Sequence, residues 1–383
     1  MLGCARRICA VQRDAAAQPS DWLIVGAGPC GIISAAVLAR RGKQVAWVDS
    51  DFTAVGRLGR CYQKVPGNTK VGRLLEAFRD LPALRFAEGQ ARRRAEGIPI
   101  LSEVDPEDTC ELSLCVHALA DGSSALLDTD GIHGVQGVVV GLDGGTNLPW
   151  KASVETPEGG VLSLSAKNVL LCTGGVPRMP PPTLRSEVEV LQHDDVVAPD
   201  TLADLVRRRP ALLQMRWGIV GGSHSGMLAA MNLSEMGATD ISVFCSRELR
   251  WAEPRDDGRW IKFDGSGLKG RVAAWARNLP ESVRLRGRWS EDDAGALDVL
   301  VHCTGFSRAP VPPVAFDGTD TPVMERAYDR TCGAIDGLQR LYGAGLGFMQ
   351  EYEDPEGHVE TRVGFVPFFI EHVGRIADAS EAT

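Results

Sequence analysis

Two glycine-rich stretches contain the residues of this sequence whose types and spacing are best suited to binding a ligand. The first, Gly26-x-Gly28-x-x-Gly31, follows a short apolar run and precedes an apolar stretch with helical spacing. Small residues at this spacing let a strand turn sharply into a helix, whose N-terminal amides then face the phosphates of a nucleotide. A second predicted strand, residues 44–48, ends in Asp49, which is placed to accept hydrogen bonds from ribose hydroxyls. These features predict a dinucleotide-binding site.

The second stretch, IVGGSHSGMLAA (residues 219–230), repeats the pattern with Ser223 in place of the second glycine. A serine is small enough for this position, and its hydroxyl can contact a phosphate, but it narrows the approach to the backbone. His224 either donates to a phosphate or only covers the loop. Taken alone, the stretch is also compatible with a tight turn that binds nothing. The predicted nucleotide-binding residues are Gly221, Gly222, Ser223, His224, Ser225 and Gly226.

A second pair of similar segments also indicates that the architecture is duplicated. The segments NVLLCTGGVPRMP and DVLVHCTGFSRAP each place a strand of buried type before Cys-Thr-Gly. Each unit therefore opens with a glycine loop and closes with a Cys-Thr-Gly turn, and a segment of alternating polarity in the first unit predicts a β-meander. The predicted fold class is α/β, with two Rossmann-like dinucleotide-binding domains, the smaller inserted in the larger. The predicted boundaries are 1–20 for a disordered leader, 21–188 and 298–383 for the larger domain, and 189–297 for the smaller.

The composition of the chain limits the classes of partner and ligand that it is expected to bind. The 383 residues carry a formal net charge of −9, which argues against binding nucleic acid. The apolar run 23–39 is interrupted by Pro29 and glycines and is too short for a membrane span. The ten cysteines include no C-x-x-C, so no metal site is predicted, and Cys110 and Cys115 are interpreted as residues of a buried helix. We expect a cytoplasmic protein, with an arginine-containing organellar presequence as the alternative for the leader.

From about Asp21 onwards, the order of these features resembles the flavoproteins with two dinucleotide-binding domains. That superfamily includes the pyridine nucleotide-disulfide reductases, the flavin-containing monooxygenases and the N-hydroxylating monooxygenases. The combination VPGNTK, GGSHSG, KFDGSGLKG and RVGFVPFF is similar to uncharacterised FAD/NAD(P)-binding proteins. The resemblance implies a glutathione reductase-type fold, with FAD at the first loop and NADPH or NADH at the second. The implied FAD-binding residues are Gly26, Gly28, Pro29, Cys30, Gly31, Asp49, Ser50, Gly59, Arg60, Thr173, Gly174, Gly345, Val363 and Gly364.

The segment 56–82 is similar to the stretch of flavin-containing monooxygenases whose asparagine reaches the flavin. Tyr62, Asn68 and Lys70 match that stretch, although the lysine follows the asparagine by two positions rather than three. The resemblance implies a catalytic role for Asn68. The alternative is an Asx turn that caps the helix starting near Val71.

For the second nucleotide, the resemblance places arginines against the 2′-phosphate of NADPH where NADH-preferring proteins have an acid. No acid ends the second strand of the smaller unit, which favours NADPH; the alternative is a pair of solvated arginines. The implied NADP-binding residues beyond the second loop are Arg247, Arg250, Thr304 and Gly305.

Three departures from the superfamily bear on the reaction. The redox-active cysteine pair after the first loop is absent, which argues against disulfide reduction. No clean F-x-G-x-x-x-H motif precedes the second loop, although His193 and Asp194 lie roughly where it is expected. The Gly-Asp that holds the ribityl chain is replaced by a loop with Gly343, Gly345 and Gly347.

The sequence therefore predicts an FAD-dependent oxidoreductase that takes hydride from NAD(P)H and passes electrons to oxygen or a small-molecule acceptor, with flavin monooxygenation as one form of that reaction. A homodimer is an accompanying hypothesis. The alternatives are a regulatory FAD/NAD(P)-sensing flavoprotein without turnover and a fold that binds NAD(P) without FAD.

Overall fold

A computed structural model of the chain describes residues 18–79, 81, 101–180, 188–256, 260–362 and 366–382. No helix in these ranges combines the length and the apolarity that crossing a bilayer requires. The α-helices of the described residues are α1 (Pro29–Arg40), α2 (Gly56–Cys61), α3 (Val71–Arg79), α4 (Leu112–Leu127), α5 (His193–Val197), α6 (Pro199–Arg208), α7 (His224–Glu235), α8 (Gly270–Ala276) and α9 (Val366–Glu381). Short 3-10 helices lie at Leu101–Glu103, Pro210–Gln214, Glu291–Ala296 and Val323–Glu325.

The larger sheet is mixed and contains both the first glycine loop and the meander. Its strand order is β19-β18-β6-β7-β8-β1-β2-β5, and β20 also pairs with β8. The neighbours of β1 are both parallel to it, whereas β6, β7 and β8 form the antiparallel meander. The strands are β1 (Ser20–Val25), β2 (Val45–Asp49), β5 (Ile132–Gln136), β6 (Val138–Gly145), β7 (Leu148–Glu155), β8 (Val161–Leu171), β18 (Val314–Phe316), β19 (Thr319–Asp320) and β20 (Leu341–Gly343).

Strand β1 is apolar throughout because both of its faces are covered. Trp22 and Ile24 pack into a core with α1, whereas Leu23 and Val25 point to the other face and pack with the meander. A parallel strand buried on two sides needs a continuous apolar run rather than an alternating one. Helix α9 packs against α1, so the C-terminal segment covers the same layer as the first glycine-loop helix.

The smaller sheet is parallel, with the order β10-β16-β11-β12-β15. Trp217 and Ile219 of β11 are fully buried in a second core that includes α7. The strands are β10 (Glu189–Leu191), β11 (Arg216–Val220), β12 (Asp240–Phe244), β15 (Val283–Arg286) and β16 (Val299–His302). The predicted α/β fold class with two dinucleotide-binding units and a meander is confirmed.

One predicted boundary is wrong. The larger sheet was expected to resume near residue 298, but β16 pairs with β10 and β11, and the chain returns to the larger sheet only at β18. The physical reason is that the second Cys-Thr-Gly turn must lie over its own glycine loop, so its strand must be the neighbour of β11. We therefore propose that the smaller domain spans residues 189–302.

Four two-stranded ladders complete the described strands. They are β3 (Pro66–Lys70) with β4 (Thr109–Glu111), β9 (Gly175–Pro177) with β17 (Phe306–Arg308), β13 (Glu253–Arg255) with β14 (Trp260–Lys262), and β21 (Gln350–Glu353) with β22 (Val359–Arg362). The acidic segment 350–360 thus lies in an antiparallel hairpin. The carboxylate of Glu360 is buried, accepting hydrogen bonds from the Ser266 hydroxyl and the Gly265 amide.

Candidate functional site

The first glycine loop is built around contacts too short for any side chain. Gly26 has a φ of 112°, and a Cβ there would lie 2.5 Å from the carbonyl oxygen of Cys172. A Cβ on Gly31 would lie 1.9 Å from the carbonyl oxygen of Gly26. Both distances are far below van der Waals contact, so α1 packs directly on the end of β1 and its N-terminal amides face outwards.

The second loop reproduces this geometry. Gly221 has a φ of 118°, and its Cβ would lie 2.4 Å from the carbonyl oxygen of Cys303. A Cβ on Gly226 would lie 1.8 Å from the carbonyl oxygen of Gly221. The repeated Cys-Thr-Gly turns therefore have a structural reason: in each unit the cysteine carbonyl packs against the first glycine of the loop.

Ser223 occupies the position that Gly28 occupies in the first loop. It precedes α7 with φ −85° and ψ −175°, and Gly28 precedes α1 with φ −70° and ψ 179°. Both are extended backbone that any residue adopts, so the serine introduces no strain. Its side chain is exposed and makes no capping hydrogen bond to α7.

A cavity of about 560 Å³ opens beside the first loop. A second cavity, of about 460 Å³, shares Gly26, Asp49 and Thr173 with it and is also lined by Ser50. The predicted residues that line the larger cavity are Gly26, Gly28, Pro29, Cys30, Asp49, Arg60, Asn68, Thr173, Gly174 and Gly345. The structure thus brings together residues from six separate segments of the chain.

Asp49 and Thr173 stand where the two cavities meet. The Asp49 carboxylate accepts hydrogen bonds from the Ala27 amide at 2.5 Å and from the Asp51 amide at 2.7 Å. The Thr173 hydroxyl is buried and has no hydrogen-bond partner in the described part of the protein. A buried hydroxyl without a partner is costly, so a polar ligand is expected to complete it.

Some predicted residues lie elsewhere. Gly31 packs behind the loop, as described above. Gly59 does not line either cavity: a Cβ there would lie 2.1 Å from the Ala54 carbonyl oxygen, so it serves the packing of α2. Gly345 has a φ of 85° and lies against Cys30 at the cavity wall. Val363 and Gly364 lie outside the described residues.

Asn68 lies on β3 and lines the larger cavity. The capping alternative is not supported, because the first amides of α3, those of Val71 and Gly72, donate to the carbonyls of Asp108 and Pro106. The Asn68 side chain is exposed, and its Oδ1 accepts a hydrogen bond from the Thr69 hydroxyl at 3.5 Å.

The second site differs from the first at the ribose position. Because Val25 pairs with Val48 and Val220 with Phe244, Cys245 stands where the first unit has Asp49. A Cβ on Gly222 would lie 2.4 Å from the Cys245 sulfur, so the two residues pack tightly. Only the strand register identifies Cys245 as the counterpart of Asp49.

The remaining predicted residues of the second site surround this loop. Arg247 is exposed, and the Arg250 guanidinium lies 5.0 Å above the Phe263 ring. Burial, together with the charge on Lys269, lowers the pKa of His224 to about 4, so its imidazole is neutral. Half-buried Ser225 follows it in α7, and exposed Thr304 and Gly305 follow β16 beside the loop.

A four-residue network joins the two units at the larger cavity. The Asp194 carboxylate on α5 accepts hydrogen bonds from the Tyr62 hydroxyl at 2.5 Å and from the Arg57 guanidinium, and it contacts the His193 Nδ1 at 3.0 Å. Arg57 and Tyr62 line the cavity. Burial alone would raise the pKa of Asp194, but the hydrogen bonds from His193 and Tyr62 and the charge of Arg57 hold it below its usual value.

The network is anchored to the second glycine-loop helix. The Asn232 side-chain amide of α7 donates to the carbonyls of Val196 and Val197 at 3.0 Å each. These carbonyls lie at the end of α5, the helix that carries Asp194. Sequence reasoning noted Tyr62 and Asp194 separately, and no local pattern indicated that they meet.

Known proteins share this architecture. Residues 20–250 match the pyridine nucleotide-disulphide oxidoreductase family. A monooxygenase of Paecilomyces divaricatus is 30% identical over 94% of this chain and 98% of its own length. Two solved structures share the fold. The cadaverine monooxygenase of Erwinia amylovora has a TM-score of 0.62 and 11% identity, covering 96% of this chain and 95% of that one. The ornithine N-hydroxylase of Kutzneria sp. 744 has a TM-score of 0.59 and 17% identity, covering 95% and 99%. On the family match and the 30% identical relative, this chain belongs to the pyridine nucleotide-disulphide oxidoreductase family.

Proposed function

We propose that this chain is an FAD-dependent oxidoreductase that takes electrons from NAD(P)H and passes them to oxygen or a small-molecule acceptor, acting as a monooxygenase. The observation that carries the proposal is the pair of cavities that meet at Gly26, Asp49 and Thr173. The family membership and the 30% identical monooxygenase support it. The Erwinia amylovora structure is described as bound to FAD, and the Kutzneria structure as holding reduced FAD, NADP+ and L-ornithine.

The residues around the cavities fit FAD. The Asp49 carboxylate would bind the ribose hydroxyls, and the N-terminal amides of α1 would bind the pyrophosphate. The unpartnered Thr173 hydroxyl supplies a donor to the same ligand. At Gly28 and Gly345 the wall lacks side chains, which lets a cofactor approach the backbone closely.

FAD, when bound, accepts two electrons from a nicotinamide nucleotide and releases them to oxygen or another acceptor. The chain itself supplies position and polarity. Asn68 lines only the larger cavity and is proposed to orient the reacting end of the cofactor or substrate through its side-chain amide. Leu74, Leu112 and Phe369 give the same cavity apolar walls, which exclude water.

We further propose that the second loop binds NADPH. Its support is the duplicated geometry of Gly221 and Gly226 and the absence of an acid at Cys245, with Arg247 exposed beside the loop. The unstrained backbone of Ser223 leaves the second loop intact, which weakens the alternative of a regulatory protein without turnover. The expected cytoplasmic location and the homodimer remain predictions.

The proposal is tested on purified protein. Heat denaturation should release one FAD per chain, identified by its mass and fluorescence. With NADPH and a nucleophilic small-molecule substrate under labelled oxygen gas, one oxygen atom should enter the product. Release of no flavin would overturn the whole proposal, whereas flavin with no labelled product from a panel of amines and sulfides would overturn the monooxygenase part.

A further inference from the structure

Four thiols line the larger cavity, and they form two pairs. The sulfur atoms of Cys110 and Cys115 lie 3.8 Å apart, and so do those of Cys30 and Cys172. All four cysteines are free and buried. In each pair the sulfur atoms are close enough that a small movement would bring them into bonding distance.

The first pair lies beside Asn68. Cys110 is on β4, which pairs with β3 so that Pro66 faces Glu111 and Lys70 faces Thr109. Asn68 is thus on the strand next to Cys110. Cys115 follows on the first turn of α4, so the expectation that both cysteines belong to one helix is wrong. The junction between β4 and α4 folds the two thiols toward each other at the cavity wall.

The two pairs differ chemically. A hydrogen bond from Cys115 lowers the pKa of Cys110, although burial opposes it. The hydrogen bond with Cys172, together with burial, raises the pKa of Cys30 well above its usual value. The thiolate is the reactive form of cysteine, so Cys110 of the first pair is a nucleophile suited to oxidation.

We propose that Cys110 and Cys115 form a redox site in the cavity, whose two thiols are oxidised to a disulfide by a hydroperoxide. This inference rests on the proposed function, because hydrogen peroxide arises wherever oxygen takes two electrons from a reduced cofactor. No assigned role of the chain includes this pair, and its position differs from that of a pair on the helix after the first glycine loop.

The reaction balances with one hydroperoxide. The Cys110 thiolate attacks the O–O bond, an S–O bond forms, and the departing hydroxide leaves as water with the proton lost by the thiol. The Cys115 sulfur then attacks the Cys110 sulfur, an S–S bond forms, and the S–O bond breaks to release a second water. The two sulfurs together lose two electrons, and the peroxide gains them.

Closure would change the cavity. The sulfur separation must fall from 3.8 Å to about 2.05 Å, the length of a disulfide bond. That movement shifts at least one of the two sulfur atoms at the cavity wall, beside the strand β3 that carries Asn68. The disulfide is therefore expected to alter the site at which the peroxide was formed.

The test uses the purified protein without added nucleotide. It is treated with one equivalent of hydrogen peroxide, unfolded, alkylated with iodoacetamide and digested with trypsin. Tryptic peptide 95–151 contains Cys110 and Cys115 and no other cysteine, whereas Cys30 and Cys172 lie on peptides 14–40 and 168–178. Before oxidation peptide 95–151 should carry two alkyl groups; afterwards it should carry none and be lighter by two hydrogen atoms. The other two peptides should keep their single labels.

Two variants extend this test: one should stop the reaction at its intermediate, and the other is a control. In Cys115→Ser, Cys110 should stop at the sulfenic acid, which dimedone traps, and Cys332→Ser should form the disulfide as the wild type does. Retention of both labels on peptide 95–151, or loss of label from Cys30 and Cys172 instead, would overturn the proposal. Since no NAD(P)H is added, this result is independent of electron transfer, and failure of the proposed function would show separately as a protein without FAD.

Discussion

At the scale of single residues, the second glycine loop shows that a motif departure need not impair a site. Ser223 replaces a glycine, yet its backbone is extended in the same way as that of Gly28. The glycines that the turn requires are Gly221 and Gly226, and both are present.

Ser223→Gly is therefore expected to be nearly silent. Glycine replaces serine at a helix N-terminus at a cost of a few tenths of a kcal/mol, and no cap hydrogen bond is lost. The dissociation constant for NADPH, measured by fluorescence quenching, should change by less than about threefold. A tenfold loss of affinity, about 1.4 kcal/mol, would show that the hydroxyl binds a phosphate and contradict this account.

Asp49→Asn should weaken FAD binding. The substitution removes the negative charge of the carboxylate that accepts hydrogen bonds from the Ala27 and Asp51 amides. The same carboxylate would accept hydrogen bonds from the ribose hydroxyls of FAD. Hydrogen bonds to charged groups contribute about 1.5–3 kcal/mol each, so FAD dissociation should increase by about 10- to 100-fold. The measurement is the FAD content and dissociation constant of the purified variant. Asp143→Asn, an exposed position on β6, is the control and should bind FAD like the wild type.

At the scale of elements, each unit places a strand, a glycine loop and a Cys-Thr-Gly turn in contact. Because each loop is proposed to bind a different cofactor, a mutation in one loop should affect the binding of one cofactor and leave the other unchanged. Gly226→Ala puts a Cβ 1.8 Å from the Gly221 carbonyl oxygen, so the second loop must shift. Overpacking of this kind typically costs about 1–3 kcal/mol. The variant should retain full FAD content but lose most of its NADPH-dependent flavin reduction.

The control is Gly141→Ala, where no heavy atom lies within 4 Å of the new Cβ. It should match the wild type in FAD content and in reduction rate. If Gly226→Ala lost FAD while its reduction by NADPH persisted in the remaining holoenzyme, the assignment of the two loops would be wrong.

The Asp194 network predicts a dependence of stability on pH. The pKa of Asp194 is held below its usual value of 3.8, so the unfolded state binds more protons and stability rises with pH. Wild type should exceed Asp194→Asn in free energy of unfolding by about 1–3 kcal/mol above pH 5. The difference should shrink below pH 4 and vanish below the native pKa, as measured by urea unfolding at a series of pH values.

Tyr62→Phe is the matched variant for this network. It removes one donor and keeps the carboxylate charge, so it should lose less stability than Asp194→Asn and retain the acid dependence of the wild type. A constant difference between wild type and Asp194→Asn from pH 6 to pH 3 would mean that the carboxylate is not stabilised by its donors in the folded state.

At the scale of the whole molecule, local patterns predicted much of the architecture. The spacing of Gly26, Gly28 and Gly31, followed by a strand that ends at Asp49, is typical of one βαβ unit. This unit is continuous in the sequence, so neighbouring residues are sufficient to predict it. The echo at Gly221 predicted the second unit for the same reason.

What the sequence did not reveal depends on how distant segments pack. Tyr62 and Asp194 lie 132 positions apart in the sequence and meet only through tertiary packing. The pairing of Cys110 with Cys115 requires the turn between β4 and α4. The position of β16 was misassigned because a strand at residues 299–302 fits either sheet by composition, and only its pairing with β11 decides between them.

The central claim is that the two units together transfer electrons from a nicotinamide nucleotide to FAD. Its most direct test is the absorbance spectrum of the purified protein, recorded without oxygen before and after NADPH or NADH is added. The account predicts oxidised flavin bands that bleach on addition of nucleotide, with NADPH acting at lower concentration than NADH, and that return when oxygen is admitted. A colourless protein, or flavin bands that neither nucleotide bleaches, would contradict it.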